Sequence, residues 1–67
     1  MGDYRAYVGR RMVVQLPDVT LAGTLDRESK TTLIMEDVVA VPADGKERPV
    51  DGTVVIERAA VTWAQVV

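Results

Sequence analysis

Few side chains in this sequence can do chemistry. It contains no Cys and no His. Disulfides, thiolate or imidazole metal sites, cysteine nucleophiles and any serine–histidine–aspartate triad are therefore excluded. Asp18, Asp26, Asp37, Asp44 and Asp51 fall singly among turns and strand ends. No two of them have the spacing of an acid–base couple or a calcium loop. The sequence reads as no enzyme, with no catalytic residues, metal or cofactor. What remains is charge and hydroxyl chemistry. Three of the eight basic residues, Arg5, Arg10 and Arg11, gather near Tyr4. With the tyrosines beside them, they read as a solvated helix whose rings cover the end of a sheet. With a net charge of −2, a strongly cationic binder is not expected, although a local basic patch is compatible with that balance.

The elements that must position these groups are mostly strands. Val, Ile and Thr make up 21 of the 67 residues, and β-branched side chains favour pleated, half-buried surfaces. Turn chemistry recurs at Pro17-Asp18, Arg27 to Lys30, Pro42 to Pro49 and Asp51-Gly52. Short strands between closely spaced turns predict a small antiparallel barrel or sandwich. A short helix is expected over about 3–8, capped by Asp3 and stopped by Gly9. Strands are expected over about 11–16, 19–26, 31–41, 52–57 and 61–66 of a single domain, 1–67. Met12, Val14 and Leu16 share one face of the first strand. Val19, Leu21, Gly23 and Leu25 share one face of the second, where Gly23 leaves a gap for a bend or a close strand. Pro42 to Pro49 reads as a hairpin loop around Asp44-Gly45.

Size points to a partner. A domain of about 60 residues buries only roughly 60% of the surface its unfolded chain exposes. Disulfides are impossible here, a metal is not expected, and the chain has one Trp, two Tyr and no Phe for a core. Oligomerisation is the remaining support. Val38-Val39-Ala40-Val41 and Val54-Val55-Ile56 are apolar on both faces, which an exposed sheet is not. Either a second subunit covers them or a few valines stay exposed. There is no signal-peptide run and no membrane-length apolar stretch. The expectation is a soluble, cytoplasmic protein without a membrane partner.

The layout resembles the Sm-like family, of the LSm and Hfq type. Tyr7 to Leu16 looks like the helix end and first strand of that family. Leu21-Ala22-Gly23-Thr24-Leu25 is similar to the start of its first motif, with Gly23 at the characteristic glycine. Thr31 to Asp37 and Gly52 to Val61 are similar to the rest of the first motif and to the second. The resemblance spans about 3–66. It implies a short helix followed by a strongly bent five-stranded antiparallel sheet, a small barrel. It also implies a homo-oligomeric ring, hexameric or heptameric, in which the fourth strand of one subunit pairs with the fifth of the next. Val54, Val55, Ile56, Val61 and Trp63 fall in those two strands. Trp63 takes a position that is apolar and inward in the family.

The same resemblance implies single-stranded RNA as a partner, held by two loops facing the ring's pore. By family position the RNA-binding residues are Ser29, Lys30, Thr32 and Arg58, and Arg5, Arg10 and Arg11 are candidate contacts on the helix face. The family's Asp, stacking residue and Asn of the first loop fall at Ser29, Lys30 and Thr32. Its Arg-Gly of the second falls at Glu57-Arg58. Neither loop contains an aromatic residue. Two functions follow: a ring-forming RNA chaperone or scaffold with a degenerate site, or an oligomeric adaptor ring that does not bind RNA.

Overall fold

A computed structural model describes residues 4–67. Its core is one bent antiparallel sheet. The strands are β1 (Arg11–Gln15), β2 (Val19–Glu28), β3 (Thr32–Pro42), β4 (Arg48–Val50), β5 (Val54–Glu57) and β6 (Trp63–Val66). Their order is β4-β3-β2-β1-β6, and β5 also pairs with β3. Along one edge of β3, β5 takes Thr32 to Met35 and β4 takes Val38 to Ala40. One long strand thus serves two short ones.

The predicted alternation places the core. Met12, Val14, Leu21, Leu25, Leu33, Met35, Val38 and Ile56 are buried, and Val54, Val61, Ala64 and Val66 pack against them. Leu16 and Val19 are only partly buried at the turn, where Leu16 N donates to Val19 O at 2.9 Å.

Three expectations are corrected. The N-terminal helix is only a 3-10 turn, Arg5–Tyr7. Its bonds run from Tyr7 N to Tyr4 O and from Val8 N to Arg5 O, and Gly9, at φ 89°, reverses the chain before an α-helical turn can form. Gly9 N then donates to Leu25 O at 2.7 Å, fastening the turn to β2. The cap assigned to Asp3 lies outside the described residues. Second, the loop from Pro42 to Pro49 is partly strand. Gly45, at φ 78°, turns the chain so that β4 returns alongside β3, which makes six strands. Third, Trp63 does not point inward: it is 48% exposed. Its register partner is Gln15, whereas Ala64 lies opposite buried Val14. Strand alternation therefore turns Ala64 and Val66 to the core and Trp63 and Gln65 away from it.

The bend comes from two irregularities between β2 and β3. Between the pairs Ala22–Val39 and Thr24–Glu36, β2 contributes Gly23 and β3 contributes Asp37 and Val38. Two residues against one is a bulge, which bends and twists a strand. Asp37 adopts φ 52°, in the left-handed region. Arg11 bridges the bulge, donating from Nη1 to Asp37 O at 3.0 Å and to Thr24 Oγ1 at 3.3 Å. The second irregularity lies between Leu25 and Arg27.

The Asp37 backbone gives a test. Asp tolerates the left-handed region and a β-branched residue does not. Asp37→Val is expected to lower stability by about 1–2 kcal/mol and Asp37→Asn by less than about 0.5 kcal/mol. Urea midpoints at one fixed protein concentration check this, and equal losses in the two variants would contradict the backbone account.

Candidate nucleic-acid interface

The register of β3 against β5 assembles the candidate site. Thr32 lies opposite Glu57, and Arg58 N donates to Thr31 O at 2.8 Å. The loop 29–31 and the turn Arg58–Ala60 are thereby neighbours, although almost thirty positions separate Ser29 from Arg58. Ser29, Lys30, Thr32 and Arg58 all sit in this junction.

Their functional groups are mostly engaged. Ser29 Oγ accepts from the backbone N–H of Thr31 at 3.3 Å and of Thr32 at 3.1 Å. It also shares a hydrogen bond with Thr32 Oγ1 at 2.8 Å. Ser29 N donates to Thr32 O at 2.9 Å. A hydroxyl folded back on its own turn is the usual behaviour of Ser before a tight corner.

Arg58 is more tightly held. Its Nη1 donates to Ser29 O at 2.6 Å and to Glu28 Oε2 at 3.3 Å. Its guanidinium lies 5.0 Å from the centre of the Tyr4 ring, a cation–π distance. The Arg58 and Glu28 side chains are only 23% and 12% exposed. An ion pair so sheltered is screened less by salt than a surface pair. Arg58 therefore joins the end of β2, the loop after it and the residue leading into the N-terminal turn. Glu28 and Tyr4 are the partners that sequence reasoning missed. The signal for Glu28 was an opposite charge, legible only once the β3–β5 register is known.

Lys30 differs. It is exposed at the loop tip and has no partner among the described residues. Glu57, opposite Thr32, is also exposed. The site thus presents one cation and one carboxylate to solvent, with Glu28 neutralised by Arg58. Of the N-terminal basic residues, Arg11 is committed to the bulge, while Arg5 and Arg10 are exposed near the 3-10 turn.

The positions assigned to a subunit contact separate into two groups. Ile56 is buried in its own core, and Val54 and Val61 pack against that core. A neighbour is offered the backbone of Ile56, not its side chain. Val55, 61% exposed, and Trp63 are the large apolar side chains presented by β5 and β6. Among the described residues each of these strands has a sheet partner on one side only: β3 for β5 and β1 for β6.

Among the described residues no carboxylate cluster is arranged to hold a metal ion. No helix among them is long and apolar enough to cross a membrane.

A bent antiparallel sheet with a bulge opposite a strand glycine, and two short loops joined at β3 and β5, defines a small β protein of the Sm class. Comparison with known proteins agrees. A heptameric archaeal Sm protein superposes with a TM-score of 0.81, is 25% identical and aligns over 94% of this chain and 93% of its own. The SmAP1 heptamer of P. aerophilum also gives 0.81, at 22% identity, over 100% of this chain and 97% of its own. No protein-family model and no curated protein matches the sequence. The chain has the Sm-like fold over nearly its whole length.

Proposed function

We propose that this chain forms a homo-oligomeric Sm ring in the cytoplasm, acts without catalysis, and holds single-stranded RNA at the loop junction as a chaperone or scaffold. The observation that carries the ring is the pair of one-sided strands. An unpaired strand edge invites association, and a closed ring of β5-to-β6 contacts leaves neither of these two edges open. Exposed Val55 and Trp63 lie on those two strands. The heptameric assembly of both structural neighbours supports the same reading.

The RNA part rests on exposed Lys30, which repetition around a ring would bring together. A specific observation favours a second reading, an adaptor ring without RNA. Ser29, Thr32 and Arg58 already bond within the protein, and Glu57 is exposed beside them.

One experiment separates the two readings. Light scattering should give a mass several times the 7.3 kDa chain. Anisotropy with labelled RNA decamers at low salt should then show saturable binding that weakens as salt rises. A ring that binds none of them is the adaptor; a monomeric mass refutes both.

A further inference from the structure

Resting on the RNA reading above, we infer that the loop junction grips the nucleic-acid backbone without distinguishing bases or sugars: Lys30 contacts phosphate, and Arg58 positions the loop that carries it.

Reading a base edge takes an unpaired donor or acceptor aimed at it, and gripping a base face takes an exposed ring. Among the described residues no free ring face is exposed at this junction, and the hydroxyls of Ser29 and Thr32 are folded back onto their own turn. The Ser29 and Thr32 hydroxyls bond each other, and Ser29 Oγ also caps two backbone N–H groups. Of that hydroxyl pair, a 2′-hydroxyl would meet only the one O–H not used in the mutual bond and the remaining lone pair of Thr32 Oγ1, both tied to the turn. The nearest aromatic, Tyr4, already faces the Arg58 guanidinium at 5.0 Å. Arg58 itself is turned inward onto Ser29 O and Glu28. An ammonium on a flexible stem remains, and that is a point charge suited to phosphate with no sequence information.

The Arg58–Glu28 pair has a second consequence. With Glu28 neutralised and largely buried, the exposed carboxylate beside Lys30 in the junction is Glu57, opposite Thr32. Glu57 opposes phosphate, so removing its charge should strengthen binding.

The test uses the assembled protein with labelled decamers of uridylate, adenylate and cytidylate RNA, and of thymidylate DNA. Wild-type affinities should agree within about threefold, since a phosphate contact is indifferent to sequence. The logarithm of affinity should fall linearly with the logarithm of salt, at about −0.7 per phosphate neutralised on a single strand. Lys30→Ala should flatten that slope and lower affinity at least about tenfold at low salt, because every subunit loses its contact. Glu57→Gln should raise affinity for all decamers alike. Arg58→Lys keeps the charge and loses the fork that spans Glu28 and Ser29; it should weaken binding without creating a base preference. Uridylate bound more than about tenfold tighter than the others would overturn the inference and leave the RNA reading standing, because such discrimination needs base contacts. So would an unchanged salt slope in Lys30→Ala. An intact ring that binds no decamer overturns the RNA reading, and this inference with it.

Discussion

Gly23→Ala is expected to cost about 2–3 kcal/mol, a large share of the stability of so small a domain. A methyl group built on Gly23 stands 2.8 Å from Val38 Cγ2 and 3.0 Å from Glu36 O. The first contact can relax by a side-chain shift. The second cannot, because Glu36 O belongs to β3 backbone that pairs with Thr24 at the edge of the bulge. Moving that carbonyl moves the bend, and with it the strand that carries β4 and β5. In a domain of this size each kcal/mol shifts the melting temperature by about 4–8 °C, so a loss on the order of 10–20 °C is expected by calorimetry. Adding Val38→Ala separates the two contacts. Val38 is 2% exposed, so its truncation alone leaves a cavity and destabilises. In the double variant the methyl introduced by Gly23→Ala meets one obstacle fewer. The combined loss should therefore be smaller than the sum of the single losses. Strict additivity would mean that Val38 takes no part in the clash.

Gly23 also shows what the sequence made legible. A glycine on the inward face of an otherwise apolar strand announces a close approach, and the structure places Val38 there. The alternation of Met12 and Val14, and of Leu21 and Leu25, correctly marked the buried face. The resemblance to Sm motifs implies that Ser29, Lys30, Thr32 and Arg58 meet, because it carries a strand register that composition alone does not, and the pairing of β3 with β5 brings them to one junction.

Register is also where the reading failed. Arg48–Val50 pairs with β3 although its segment is exposed, charged and contains Pro49. Such residues belong equally to a loop and to an edge strand, where proline is tolerated and discourages further pairing. Trp63 was placed inward by family position, but Ala64 and Val66 hold the inward parity. The expected helix over about 3–8 gives way to a 3-10 turn, whose three-residue repeat also sets Tyr4 and Tyr7 on one side. Arg58 was legible as a cation but not as a bonded one. Its partners Glu28 and Tyr4 are distant in sequence, and only the folded sheet brings them within reach.

Neighbouring residues of β5 should answer mutation in opposite ways, and this is the sharpest test of the ring. Val55 is 61% exposed, and Ile56 is 3% exposed beneath it. In a lone protomer Val55→Asp changes a solvated side chain and should leave the fold nearly intact. In a ring built through β5 and β6 the same aspartate is buried against a neighbour without a cation to meet it. An unpaired buried charge costs several kcal/mol, repeated at every interface, which is enough to dissociate the assembly at micromolar concentration. Light scattering should then fall to the 7.3 kDa protomer while the β-sheet circular dichroism persists at low temperature. Ile56→Ala should do the reverse. It removes core volume worth about 2–5 kcal/mol, so the fold itself is lost or melts early, and assembly fails only as a consequence. If Val55→Asp keeps the full assembled mass, the subunits meet elsewhere, and the one-sided edges of β5 and β6 must be protected by some other means.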